Sequence, residues 1–541
     1  MKLSSDRLAH AIFVIVLLFA IGELGSNAVM LDTWMDEGKY LMKGYWYVTG
    51  QIRPYSEIDP TYYMPLVFYA DGIMQWMFGF GYIPGRTLMI VFSIACLVLV
   101  YLVGQNIGRS RVAGVAAVIL VASHSVTLIY FATATPYAMV SCLSLLLIHV
   151  LLVSRSRPRA FIAAGVLLWA LIFTRPDMLP IAIIPAGWAL LIERQRKLAL
   201  LSIAFLAFTV PSVLTVLVFG KGLLDVVLDV PGISQIAGFL GAPAAPISGI
   251  LPLTTSPLDP VIQPGEIRVM FLRYFLKPYA AVAIVTSAMI ALRIIGAFRD
   301  FNQRHVKPID LILSYFWITT ILHFILSLSY CVDCIIPYTN YFLPVGALAA
   351  AALVGEVLLI FRGSRPAFVT LGCMLAVGLA IHASPAFPTL LRPGSGSVRN
   401  VAERLSAQLK SSLPTARRVM VLSGSVAPAQ AVWLAGGVIE PRSLYLTANF
   451  REPRAELPEN QRVMIDDAIW NAGFWSEESM RHALTEQYTL LLVERRNAYT
   501  DPIRRTVRDG IPFGDTVGKY FRLIATAKVD DLAFELYQKL E

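Results

Sequence analysis

The sequence predicts an α-helical polytopic membrane protein of about 11 transmembrane helices with a C-terminal soluble α/β domain. Three observations predict it. Hydrophobic residues make up 56% of the 541 positions and charged residues only 15%, against about a quarter in soluble globular chains. Mean hydropathy is +0.64. The charge is also uneven: from Phe387 onward there are 20 Lys/Arg and 18 Asp/Glu, an ordinary soluble density, whereas the first 386 residues hold 25 and 18. The expected domains are therefore a membrane part, 1–386, and a soluble part, 387–541.

A spanning helix needs about 20 largely apolar residues. Runs of this kind cover 9–29, 84–105, 112–131, 134–153, 160–174, 178–192, 198–220, 270–292, 309–329, 336–360 and 366–386. The first follows Lys2 and Arg7 as a signal peptide's core would, but no small-residue cleavage site follows it, so a retained signal-anchor helix is expected.

Basic residues orient such helices. Lys2/Arg7, Arg109/Arg111, Arg155/Arg157/Arg159, Arg194/Arg196/Lys197, Arg293/Arg299/Arg304/Lys307 and Arg362/Arg365 lie in every second loop and account for 16 of the 25 basic residues. This pattern predicts a multi-pass protein of a cell (inner) membrane, with a cytoplasmic N-terminus and a periplasmic or other extracytoplasmic C-terminal domain. Two long loops, 30–83 and 221–269, then lie on the outer face. They carry many of the membrane part's acids, among them Asp32, Asp36, Glu37, Asp71 and Glu266.

The formal charge of +9 belongs mostly to these short loops, and the C-terminal domain is nearly balanced with no basic stripe, so nucleic acid is not an expected partner. Five cysteines are too few for a disulfide framework. Cys96, Cys142 and Cys373 sit in apolar runs as packing residues; Cys331 and Cys334 form either a local disulfide or two plain thiols. In the tail, Val419–Ser423, Leu444–Thr447 and Leu490–Glu494 read as short buried strands, with helices expected over 426–435, 462–471 and 476–487.

The segment 31–86 is the most informative. It is dense in Tyr and Trp, which suits helices lying at a membrane interface. The stretch 62–80 is apolar but contains Asp71; a crossing there would break the loop-charge alternation, so a juxtamembrane helix is expected. Asp36-Glu37 falls just beyond the first helix. A carboxylate near the membrane surface can serve as a general base for a hydroxyl; the plainer alternative is that the pair caps a helix beginning at Gly38. Arg53, Arg86 and Arg175 share the same predicted face, and guanidinium groups grip phosphate through paired hydrogen bonds. Simpler roles are an interfacial anchor for Arg86 and a tight turn with a local ion pair for Arg175-Pro176-Asp177.

Several pieces appear in a particular order: Asp36-Glu37, Tyr40 and Gly44-Tyr45-Trp46; Tyr63-Met64-Pro65-Leu66 with Tyr69; Phe78-Gly79 ahead of Arg86. Then come Thr135-Pro136-Tyr137-Ala138, Thr174-Arg175-Pro176-Asp177 and Tyr341-Phe342-Leu343-Pro344. Together they resemble the GT-C membrane glycosyltransferases, in the bacterial branch related to protein O-mannosyltransferases and the lipid A aminoarabinose transferase. The resemblance covers roughly 5–200 and 336–360.

It implies a GT-C-like fold, two juxtamembrane helices in the first outer loop, and a polyprenyl-phosphate sugar donor used on the outer face. It implies Asp36 as general base, Glu37 as its substrate-binding neighbour, and Arg86 and Arg175 on the lipid phosphate. Tyr63, Arg53 and Asp177 are further substrate-binding candidates. Expected partners are the donor, membrane lipids, and a glycan, lipid or protein acceptor. With arginines on the phosphate, no metal or other cofactor is required. One departure is Thr135, where relatives often carry a charged residue. Two other classes make different predictions. A transporter or lipid flippase predicts ionisable residues midway along helices and paired broken repeats; a non-catalytic scaffold predicts a partner-binding tail. His323 and Glu356 come nearest to the first pattern, but no inverted repeat is visible, and the tail carries no peptide- or nucleotide-binding motif for the second.

Overall fold

The computed structural model describes residues 5–33, 35–54, 65–157, 159–192, 197–220, 277–299, 307–330, 339–361, 397–413, 418–422, 427–439, 489–495 and 518–540. These residues fall into two compact units. One is helical, running through residue 29 and then from residue 86 to the last membrane helices; the other joins residues 30–85 to the C-terminal domain. The chain is a multi-pass membrane protein.

In the helical unit, α1 (Ser5–Met30), α4 (Tyr82–Gly108), α7 (Tyr137–Ser154) and α11 (Lys277–Arg299) contain stretches long and apolar enough to cross a bilayer. Shorter apolar stretches lie in α8 (Ala160–Thr174), α10 (Lys197–Phe219), α12 (Pro308–Tyr330) and α13 (Leu343–Phe361). Leu217 and Val218 at the end of α10 are each 74% exposed, the wrong side of an apolar helix to show to water and the right one to show to lipid.

The apolar run expected over 112–131 is not one straight helix. It divides into α5 (Arg111–Ala122) and α6 (Ser125–Phe131), bent by 77° at Ser123-His124. The break is capped: His124 Nδ1 accepts from the Thr127 amide at 3.2 Å, restarting the ladder as an N-cap would. The run expected over 178–192 opens with a 3₁₀ turn, Pro176–Ala182, before α9 (Ile183–Ile192). Pro176 and Pro180 offer no amide to an α ladder. The run 366–386 and the Cys331/Cys334 loop lie outside the described residues.

Small residues form a seam between α4, α5 and α13. A Cβ on Gly108 would stand 2.4 Å from the Ala351 carbonyl oxygen and 2.3 Å from Ala113 Cβ. With lipid on the other side there is no hydrophobic gain from pairing apolar helices, so close backbone approach through small residues supplies the contact.

The other unit contains the helices α2 (Met35–Val48) and α3 (Leu66–Phe78). The latter falls within the juxtamembrane stretch expected at 62–80. The described part of the C-terminal domain starts with α14 (Val398–Leu409), capped by Ser397, whose Oγ accepts from the Asn400 amide at 3.2 Å. Its described sheet is five-stranded, in the order β2-β1-β3-β5-β4. β1 (Arg418–Leu422) lies parallel to β2 (Val438–Ile439) and β3 (Leu490–Arg495), and α15 (Ala427–Leu434) crosses from β1 to β2.

The strands expected at 419–423 and 490–494 are present. The hairpin β4 (Phe521–Val529) and β5 (Leu532–Lys539) is an addition that the sequence reading had not identified. Its turn places Asp530 at φ +53, a left-handed position that Asp tolerates. The strand expected at 444–447 and the helices at 462–471 and 476–487 lie outside the described residues.

Candidate active site

The acidic pair opens α2. Asp36 and Glu37 are its second and third residues, where the unpaired amides of a helix N-terminus favour negative charge. Glu37 is fully buried, as are Lys43 and Asp71, and Lys39 is 4% exposed. The sequence reading singled out neither lysine. α2 and α3 thus bury two acidic and two basic side chains, which a protein interior tolerates only when charges are paired or neutralised.

The helices approach so closely because both carry glycine at the crossing. A Cβ on Gly72 would lie 2.0 Å from the Gly44 carbonyl oxygen, and one on Gly44 would lie 2.2 Å from that of Phe68. Around the crossing, Tyr40 stacks on Phe68 at 4.6 Å, while Tyr47 meets Phe68 edge-on at 5.6 Å. Among the described residues, neither carboxylate oxygen of Asp71, beside Gly72, finds a hydrogen-bond partner. Its burial, with the nearby Glu37 charge adding to it, pushes the Asp71 carboxyl well above the usual range. The sequence signal for this group was the lone acid in an apolar helix.

α3 ends at Gly79, φ +89, and Gln75 locks the turn beyond it by donating to the Gly81 carbonyl (2.7 Å) and accepting from its amide (3.0 Å). Arg53 is exposed. Tyr63 lies outside the described residues, as do the side chains of Asp36 and Asp177.

In the helical unit, Arg86 stands in the first turns of α4 and is fully buried. Its Nη1 donates to the Ala28 carbonyl at 2.7 Å, closing the carbonyl end of α1. Arg175 is placed differently. It leaves α8 in an extended conformation (φ −146, ψ 117) and is half-buried, with its guanidinium 5.7 Å over the Tyr341 ring. Tyr341 stacks on Tyr137 at 5.1 Å, Tyr137 meets Tyr130 edge-on at 5.0 Å, and His323 approaches Tyr341 edge-on at 6.4 Å.

This aromatic shelf brings together motifs that are far apart in sequence: Thr174-Arg175, Pro136-Tyr137 and Tyr341-Phe342. It is held from below by Asn340, whose Oδ1 accepts from Thr127 Oγ1 at 2.7 Å and whose side chain bonds Tyr279. Ser141 Oγ donates to the Asn340 and Tyr341 carbonyls, both at 3.1 Å. Thr135, the departure noted above, is buried and its Oγ1 is 2.8 Å from Thr133 Oγ1. Among the described residues, no three His, Cys, Asp or Glu side chains are grouped so as to hold a metal ion.

No family model matches this sequence, and no curated protein does. Solved structures do. ArnT from Cupriavidus metallidurans, bound to undecaprenyl phosphate, aligns over 97% of both chains at 11% identity with a TM-score of 0.51. The archaeal oligosaccharyltransferase AglB from Archaeoglobus fulgidus, in complex with an inhibitory peptide and a dolichol-phosphate, aligns over 91% of this chain and 70% of its own. Its identity is 13% and its TM-score 0.52. The Archaeoglobus fulgidus oligosaccharyltransferase tethered to an acceptor peptide aligns over 99% and 74%, at 13% identity and a TM-score of 0.50.

The chain has the GT-C fold. Among GT-C structures, the ArnT match takes in nearly the whole of both chains, so the C-terminal domain is included in the likeness. At these identities the likeness concerns the path of the backbone, and residue roles rest on this chain's own geometry.

Proposed function

We propose that this protein transfers a sugar from a polyprenyl-phosphate-linked donor to an acceptor hydroxyl at the outer face of the membrane. The observation that carries the proposal is an acidic pair opening an interfacial helix in a GT-C chain whose structural neighbours hold undecaprenyl phosphate and dolichol-phosphate. A lipid-linked donor cannot leave the bilayer, so a helix lying at the interface is where a base would be useful.

In this reading, the acceptor oxygen attacks the anomeric carbon while the bond to the phosphate oxygen breaks, and its electron pair leaves with the phosphate. Asp36 takes the acceptor's proton. Arg175 stabilises the charge growing on the leaving phosphate, held in place by the Tyr341 ring. Arg86, at the head of α4, is the second candidate for the lipid phosphate, and Glu37, beside the base on α2, is a candidate substrate contact. Arg53, Tyr63 and Asp177 complete the candidate substrate contacts. The tail is assigned to the outer face together with the loop bearing Asp36.

The test uses full-length protein in membranes, the extracted lipid-linked sugar pool, and undecaprenyl phosphate as a binding probe. Asp36→Asn should lower transfer at least about a hundredfold and leave undecaprenyl phosphate binding unchanged. Arg175→Ala should weaken that binding about tenfold or more, the loss expected for charge-assisted hydrogen bonds. Wild-type turnover by Asp36→Asn removes that residue from the chemistry, and unchanged binding by Arg175→Ala removes the phosphate role.

A further inference from the structure

We infer that the C-terminal domain is a positioning element that grips the first loop on either side of the acidic pair, through Asp32 and Gln430. The inference rests on the proposed transfer reaction for its functional meaning, but its geometry stands apart from it. All the contacts lie within one compact unit.

Ahead of the pair, the Asp32 carboxylate accepts from the Arg399 amide at 2.8 Å and the Val398 amide at 3.2 Å, two of the free N–H groups at the start of α14. Arg399 returns the contact: Nη1 donates to the Leu31 carbonyl at 3.3 Å, and its guanidinium lies 5.6 Å over the Tyr82 ring. Thus α14 holds the chain both where it leaves α1 and where it enters α4.

Behind the pair, Gly38 faces Gln430 of α15 so closely that a Cβ would sit 2.2 Å from Gln430 Nε2. Gln430 is fully buried, and its Oε1 accepts from Tyr82 Oη at 2.5 Å. Its neighbour Trp433 is met edge-on by Phe80 at 6.4 Å and Tyr82 at 5.8 Å.

Asp36 therefore lies four residues beyond one anchor and two before the other. The groups that hold both points belong to a domain more than 360 positions away. A free loop end would leave α2 to slide and roll over the membrane surface. A displacement of about 1 Å of a catalytic group lowers rates about a hundredfold, so fixing both ends of this short stretch gives the domain a direct effect on turnover without touching substrate.

The experiment compares the full-length wild type with Asp32→Ala, Asp32→Asn and Gln430→Ala, reading hydrogen exchange of the Met35–Val48 amides and steady-state transfer from the extracted lipid-linked sugar pool. In Asp32→Ala and Gln430→Ala, exchange in α2 should quicken about fivefold or more, the loss expected for one helix-capping contact. kcat should fall at least about tenfold, with the donor KM within twofold. Asp32→Asn keeps one acceptor oxygen and should be intermediate in both readouts. Unchanged exchange in α2 overturns the grip whatever the activity does. Faster exchange with unchanged kcat, or with only KM raised, overturns the positioning role. If Asp36→Asn also turns over normally, the transfer assignment for Asp36 fails instead, and the exchange result still decides whether the domain holds the helix.

Discussion

Gly72→Ala should pry α2 from α3. The new Cβ would stand 2.0 Å from the Gly44 carbonyl oxygen, 2.2 Å from its carbon and 2.9 Å from Val48 Cγ2. Carbon and carbonyl oxygen settle no closer than about 3.3 Å, so the helices must separate by about 1.3 Å. The two closest of these contacts are with backbone atoms, which cannot swing aside as a side chain can. Overpacking costs about 1–3 kcal/mol, and backbone against backbone belongs at the upper end. Loosening the Tyr40–Phe68 and Tyr47–Phe68 ring contacts adds about 1 kcal/mol. Alanine's better helix propensity returns about 1 kcal/mol. The net, about 3 kcal/mol, corresponds to a roughly hundredfold rise in opening of the helix pair, read as amide exchange across Leu66–Phe78 in the full-length protein. Gly22→Ala is the matched control, because nothing lies within 4 Å of a Cβ there. Exchange in Gly72→Ala within about threefold of that control would show that the helices do not depend on this crossing.

Two other substitutions test the buried polar groups. The Asp71 carboxyl is raised in the folded protein, so the folded chain keeps a proton that the unfolded chain has released. Stability from this group is fully present below the unfolded pKa and declines as pH rises toward the folded one. Asp71→Asn should therefore flatten the pH dependence of α3 protection, exchange being corrected for its intrinsic base catalysis, and raise protection above the ordinary carboxylate range; a wild type whose protection does not fall with rising pH would contradict the assignment. Asn340→Leu leaves Thr127 and Tyr279 without their shared partner and should cost about 2–3 kcal/mol. Thermal inactivation should then come earlier, and an unchanged midpoint would mean that the aromatic shelf does not need its support.

The apolar helices and the switch to a charged tail were legible because each is a local property of composition. α8 begins and ends at the expected residues, and α1 and α4 within a few of them. The bend at Ser123-His124 was not legible, because an apolar run reads the same whether one helix or two pass through it. Of the candidate site, Arg175 was found from its residue type and position, but its seat on Tyr341 depends on two helices 166 positions apart. Asp71 was noticed only as an interruption in an apolar stretch. Lys39 and Lys43 gave no signal, since lysine in a loop helix ordinarily faces water. The β4–β5 hairpin was missed because its alternation of apolar and polar residues is incomplete.

By itself the sequence determined that this chain enters a membrane many times, where the acids and arginines fall along it, and that a soluble domain follows. Those features follow from hydropathy and loop charge, which act residue by residue. Only the tertiary structure decided which of these residues meet. Glycine against glycine brings α2 and α3 close enough to bury Asp71 near Glu37, and Asp32 finds the amides of α14 across 367 positions. Such pairings depend on directional hydrogen bonds and backbone shape between segments remote in the chain, and no periodicity along one strand of sequence records them.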